Sequence, residues 1–262
     1  MTVKALALFD IDGVIRDVEK SYRLAVKETV KTFCGWVPSN RNIDSLKSEG
    51  SWNNDWDASL ELIKRHIESE NLSVEIPTRE NLIKKFNNFY FGDLHSAEPN
   101  QWTGFIRDES LLVSKIFFEK LSKENIDWGF VSGAETSSAR FVLENRIGLK
   151  NPPLIAMEDA PEKPDPTGLI KIASHLLSDP LGENAPPISY LGDTVADVIT
   201  IQRARKKYPN QKFISFAVAP PHLHRKENLS ERKSYEEKLK NAGADEILNS
   251  TNDIIEFLLI GK

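Results

Sequence analysis

A rhythm of short apolar runs constrains this chain more than any other feature. VKALALF (3–9), IDWGFVS (126–132), PLIAM (153–157), PISYLG (187–192) and KFISFAV (212–218) are each followed by polar or glycine-containing turns. Each has the length of a buried strand, and most are rich in Ile, Val, Phe or Tyr. Between several of them lie segments with helical spacing. SLLVSKIFFEKLSKEN (110–125) places Leu112, Ile116 and Leu121 about one face. TSSARFVLENRIGL (136–149) does the same with Phe141, Val142 and Leu143, and Gly148 is its expected stop. Alternating strands and helices predict an α/β fold, a Rossmann-like parallel sheet flanked by helices on both faces.

Residues 18–105 interrupt the rhythm. EKSYRLAVKETVKTF (19–33), DASLELIKRHIESE (57–70) and TRENLIKKFNNFYFG (78–92) read as amphipathic helices with no strand among them. The expected organisation is an α/β core from residues 1–17 and 106–262, with an α-helical domain, 18–105, inserted after the first strand.

Carboxylates and small polar groups collect where the strands end, which is where sites form in open parallel sheets. LALFDIDGVIRD (6–17) ends a strand on Asp10 and returns Asp12 two residues later. It reads either as a capped strand-to-helix turn or as a nucleophile with its proton partner. In the second reading Asp10 attacks phosphorus. Asp12 then protonates the leaving group and later deprotonates water. Gly13 permits the turn. Ser132 and Gly133 follow a strand, as an N-cap and turn or as an anion site. Lys163 in APEKPDP sits between prolines that stiffen a loop fit to hold a cation against a carboxylate and a phosphate oxygen. In YLGDTVADV (190–198), Asp193 ends an apolar run after Gly192 and Asp197 is four residues on, either a capping pair or a Mg²⁺ site. All four segments, each after an expected strand, together supply a phosphoryl-transfer apparatus.

Composition limits the partners. The 262 residues include 34 basic and 39 acidic side chains, for a net charge of -5. That argues against nucleic acid, which needs a concentrated basic face. It leaves a small phosphorylated metabolite open as substrate. Cys34 is the one cysteine, so no internal disulfide forms and a reducing, cytoplasmic location is expected. The first ten residues lack a signal-peptide layout, and no apolar stretch approaches the roughly 18 residues of a membrane span, so no membrane partner is expected. A monomer or a homodimer is expected.

The sequence resembles the haloacid dehalogenase-like hydrolase superfamily, in the branch with a helical cap inserted after the first motif. DIDGV, VSG, the lysine of EKPDP and GDTVAD carry the resemblance, over about residues 1–20 and 106–262. The insert matches in position and helical character only. The resemblance implies Asp10 as nucleophile and Asp12 as general acid/base. It implies Ser132 and Gly133 as holders of the phosphoryl group, and Lys163 as the cation that steadies Asp10 and the phosphate. Mg²⁺ would be bound by Asp10, the carbonyl of Asp12 and Asp193, with Asp197 acting through water or from behind. Dehalogenating relatives lack the second aspartate, and phosphonate-cleaving relatives lack an acid there; Asp12 argues against both. The expected activity is a phosphoric monoester hydrolase. A β-phosphoglucomutase-like phosphomutase is the alternative, and a non-catalytic binding protein is the third reading.

The insert would set substrate choice by closing over the core. In KSEGSWNNDWDAS (47–59), Trp52 and Trp56 would offer flat apolar faces, and Asn53, Asn54 and Asp55 polar contacts. Alternatively Asp55 or Asp57 caps the next helix and the tryptophans pack within the insert. Arg16 would meet a second anionic group of the substrate, or pair with Asp17 or Glu19. Glu158 and Asp159 would partner Lys163 or cap a loop. His222 and His224 have the spacing of a metal pair but fall in a charged stretch, where solvent exposure is expected. Cys34 is expected to pack at a helix end.

Overall fold

A computed structural model describes residues 3–52, 54–92, 98–177 and 180–260; Asn53 of the tryptophan loop lies outside them. The chain divides into two compact units, Met1–Asp17 with Leu111–Lys262, and Val18–Ser110.

The first unit begins with β1 (Ala5–Phe9), and the chain leaves it at β2 (Arg16–Asp17). The second unit carries α1 (Tyr22–Cys34), α2 (Asn40–Lys47), α3 (Asp55–Ser69) and α4 (Arg79–Tyr90). The chain returns at β3 (Ser110–Leu111) and runs through α5 (Lys115–Lys123), β4 (Ile126–Val131), α6 (Thr136–Arg140) and β5 (Leu154–Ile155). There follow α7 (Thr167–Leu176), β6 (Ile188–Gly192), α8 (Val195–Lys207), β7 (Phe213–Val218), α9 (Leu229–Asn241), β8 (Glu246–Leu248) and α10 (Ile254–Ile260).

Six strands form a parallel sheet in the order β5–β4–β1–β6–β7–β8. β1 is central, and all five of its residues are buried, as a strand covered on both faces requires. Leu6 and Leu8 face one layer, packing with Leu169, Ile172 and Ala173 of α7 and Ile201 and Ala204 of α8. Phe9 meets Phe117 and Phe118 of α5 edge-on, with ring centroids 5.6 and 6.0 Å apart. From β1 the chain first builds β4 and β5 on one side, then crosses to β6, β7 and β8 on the other. The order therefore reverses at β1, and the carboxyl ends of β1, β4 and β6 meet at that switch point.

In the second unit α1 packs against α3 and α4. Tyr22 stacks on Tyr90 at 4.0 Å, and the buried Arg23 pairs with Asp44 at 2.6 Å. Gly35, in the left-handed region, ends α1, one residue after the half-buried Cys34. The helix α2 is not anticipated by the apolar pattern; in the structure a capping box of Ser39 and Asn42 starts it.

Several expectations are corrected. The segment 110–125 is helical only from Lys115, and Ile116 is 60% exposed while Phe117, Phe118 and Leu121 are buried. Ile116 lies five residues before Leu121, about 140° round the helix at roughly 100° per residue, so both cannot share the buried stripe. α6 ends at Arg140 and gives way to a wider π-helical stretch, Phe141–Arg146, before Gly148. β8 is a short three-residue strand with no long apolar run to announce it. His222, expected in solvent, is only 3% exposed, because the turn after β7 folds it inward beside the buried Leu223.

Candidate active site

Asp10 follows β1, and its backbone N–H donates to Leu191 O of β6 at 2.9 Å, so the strand pairing itself places the carboxylate at the switch point. Ile11, Asp12 and Gly13 then turn sharply. Gly13 has φ of +76°, and a Cβ there would lie 2.0 Å from Asp193 Oδ2. Glycine is therefore required twice, by conformation and by the approach of the second carboxylate. Asp193 follows β6, and its carbonyl accepts from the Tyr235 hydroxyl of α9 at 3.1 Å. The turn also hangs on Thr251, whose Oγ1 donates to Val14 O at 2.6 Å.

Lys163 is buried in the centre. Its Nζ lies 3.0 Å from Asp10 Oδ1, 2.6 Å from Asp197 Oδ1 and 3.1 Å from the Tyr190 hydroxyl. Asp197 spends both oxygens on protein donors. Oδ1 takes Lys163 and Tyr190, and Oδ2 takes the Thr194 N–H at 3.0 Å and the Thr194 hydroxyl at 2.6 Å. Thr194 and Asp197 form the capping box of α8. Gly192 lets Asp197 lie flat against the strand end, where a Cβ would come within 2.2 Å of the Asp197 Cβ.

Burial pushes the Asp10 carboxyl up to about 7; Lys163 pulls it down, while Asp197 and Asp12 add repulsion. Burial works against the Lys163 ammonium, but Asp10 and Asp197 outweigh it and hold it above its ordinary value. Burial likewise opposes the Asp197 charge, and Lys163 with Thr194 keeps that carboxyl below the usual range. Lys163 and Asp197 are therefore a fixed ion pair, and Asp10 is the carboxylate whose charge is left incompletely balanced.

A divalent cation fits that imbalance. Asp10, Asp193 and Asp197 each offer a carboxylate oxygen, all within 4.8 Å of one another. Asp10 Oδ1 is buried without a hydrogen-bond donor, its contact with Lys163 being an ion pair off hydrogen-bond geometry. An orphaned oxygen beside a second carboxylate is the hard donor set that Mg²⁺ takes. Asp197, with both oxygens engaged, stands behind Asp10 and Asp193.

Asp12 is partly exposed, and its Oδ1 accepts from Arg16 Nε at 2.6 Å. Arg16 is fully buried and also donates to Ser138 Oγ at 3.0 Å. Its guanidinium thus serves Asp12 and the helix after the VSG segment. Ser132 is buried at the end of β4, and its Oγ accepts from the Ala134 N–H at 3.1 Å, with Gly133 between them. Glu158 and Asp159 organise loops: Glu158 accepts from Thr136 Oγ1 at 2.8 Å and Asp159 from the Ala156 N–H at 2.9 Å. Within the second unit Asn54, not Asp55 or Asp57, caps α3, accepting from the Trp56 and Asp57 N–H groups. Trp52 bonds Glu49 and lies under Arg65, and Trp56 lies under Arg79.

A family profile described as haloacid dehalogenase-like hydrolase matches residues 4–205, which include all four motif segments. The chain belongs to the haloacid dehalogenase-like hydrolases. Among curated proteins, an imidazoleglycerol-phosphate dehydratase from Phytophthora nicotianae is 28% identical over 249 residues, 94% of this chain and 50% of that protein. The chain thus spans about half the length of the curated relative it matches. Solved structures share the haloacid dehalogenase-like fold. A phosphatase, Tt82, from Thermococcus thioreducens matches with a TM-score of 0.58 and 24% identity over 80% of this chain and 92% of that one. A phosphonoacetaldehyde hydrolase-like protein from Oleispira antarctica matches at 0.69 and 16%, over 99% and 92%.

Tyr190, Thr194, Tyr235 and Thr251 have no counterpart in the sequence reading. Tyr190 carried no signal, being one apolar-run residue among others. Thr194 was legible, since Thr-x-x-Asp at a helix start is a capping pattern. Among the described residues no helix is long and apolar enough to cross a membrane.

Proposed function

We propose that this chain is a Mg²⁺-dependent phosphatase of small phosphomonoesters, working through an aspartyl-phosphate on Asp10. One observation carries the reading: Lys163 bridges Asp10 and Asp197 in a buried cluster that also receives Asp193. A carboxylate there attacks phosphorus, the ester P–O bond breaks, and Asp12 gives its proton to the leaving oxygen. Water then attacks the phosphorus, Asp12 takes the water's proton, and the P–O bond to Asp10 breaks to free phosphate. Lys163 balances charge on Asp10 and on the phosphoryl oxygens, Ser132 and the Gly133 backbone orient that group, and Arg16 holds Asp12 for proton transfer. Mg²⁺, when bound by Asp10, Asp193 and the Asp12 carbonyl, supplies the positive charge that keeps Asp10 ionised and screens the incoming phosphate.

The substrate is expected among phosphoglycolate, sugar phosphates and amino-alcohol phosphates. Imidazole-bearing phosphomonoesters join that set because a relative sharing this segment is an imidazoleglycerol-phosphate dehydratase. The test is phosphate release from such a panel with Mg²⁺ and with chelator, with and without a sugar bisphosphate. Release that needs Mg²⁺ and is lost in Asp10→Asn is expected. A folded protein inactive on the whole panel sinks the phosphatase reading, and dependence on the bisphosphate turns it toward a phosphomutase.

A further inference from the structure

We infer that Tyr190 is a positioning residue that sets Lys163 against Asp10 and the phosphoryl group. The inference rests on the phosphatase reading. Tyr190 sits mid-strand in β6, in register with Leu8 of β1 and Ser215 of β7, and it is 1% exposed. Its ring packs in the cluster of Leu8, Val131, Ile155 and Leu169, a place a wholly apolar side chain would fill as well. The hydroxyl is what needs explaining. It lies 3.0 Å from Val131 O, 3.1 Å from Lys163 Nζ and 2.9 Å from Asp197 Oδ1. One oxygen therefore joins the strand leading to Ser132, the lysine loop and the aspartate of α8.

The proton inventory gives the hydroxyl its role. An ammonium has three protons and no acceptor. Among the described residues Lys163 Nζ has three oxygen neighbours, those of Asp10, Asp197 and Tyr190. Tyr190 accepts one lysine proton and has one of its own to give, to Val131 O or Asp197 Oδ1. Lys163 hydrogen-bonds Tyr190 and Asp197, while Asp10 is held by charge alone, so without the hydroxyl the ammonium keeps one hydrogen-bond acceptor and is free to swing towards Asp197 and away from Asp10. A shift of about 1 Å in a group that must meet the reacting phosphate is costly to rate.

The experiment compares wild type and Tyr190→Phe in Mg²⁺ buffer by steady-state phosphate release and by ¹H–¹⁵N spectra of lysine ammonium groups. The Lys163 signal is identified by its absence in Lys163→Met. In the phenylalanine variant kcat is expected to fall about tenfold with KM little changed, the size of a lost hydrogen bond to a charged group, and the Lys163 signal to broaden or move. A normal kcat overturns the inference, and so does an unmoved Lys163 signal, because Tyr190 would then not act through the lysine. If wild type hydrolyses none of the esters, the phosphatase reading is what fails, and the lysine signal alone decides the inference. Should Tyr190→Phe not fold, wild type grown with 3-fluorotyrosine keeps ring and hydroxyl but weakens the hydroxyl as an acceptor. The Lys163 signal must shift there too, and its staying in place overturns the inference.

Discussion

In the proposed mechanism the Asp10 carboxylate must be buried enough to exclude water from the reaction and still ionise to attack. Burial raises it to about 7, well above the ordinary value of 3.8. Between those two pH values the folded chain holds a proton that the unfolded chain has released, so stability falls as pH rises and the contribution is gone above about 7. Asparagine cannot ionise and lacks that fall. Metal-free Asp10→Asn is therefore expected to melt above metal-free wild type at about pH 8, with the gap closing towards about pH 4. Melting curves at several pH values check this; a constant gap contradicts the burial argument. The DxDG spacing made Asp10 and Asp12 visible in the sequence. Tyr190, Tyr235 and Thr251 were not, because each acts through a hydroxyl brought in from a distant segment.

At the scale of an element, α5 shows how helical phase decides which apolar residue matters. Phe118 is buried with its ring 5.4 Å from that of Phe130 and 6.0 Å from that of Phe9, while Ile116 points to solvent. Phe118→Ala is expected to cost about 3–5 kcal/mol through lost burial and a cavity. Ile116→Ala should stay within about 0.5 kcal/mol, as surface changes do. Urea unfolding of the two variants distinguishes them, and equal losses would refute the assigned phase. Apolar spacing alone placed the helix but not its inward side, since SLLVSKIFF offers apolar residues at several phases. The strands were easier to read: β1, β6 and β7 are near-continuous apolar runs because both of their faces are covered.

For the whole molecule, binding and stability are linked through the acidic cluster. In the proposed metal site, a cation held by Asp10 and Asp193 would stabilise the folded chain by mass action, about 2.7 kcal/mol at a hundred times its dissociation constant. In a chain this long that corresponds to about 2–4 °C per kcal/mol. Mg²⁺ is therefore expected to raise the melting temperature by several degrees, and by more at about pH 8 than at about pH 5.5, because Asp10 must shed its proton to bind. Calorimetry with Asp193→Ala as control checks it; an equal rise in the variant would place the cation elsewhere. The sequence by itself determined the parallel α/β sheet and the family resemblance, because strand runs, the helical spacing between them and short motifs at strand ends are local signals. Only the tertiary structure decided that Asp197 turns both oxygens to the protein, that Arg16 serves Asp12, and that Lys163 is shared with a tyrosine. Those outcomes depend on which buried donors and acceptors, far apart along the chain, find one another when burial leaves no water to satisfy them.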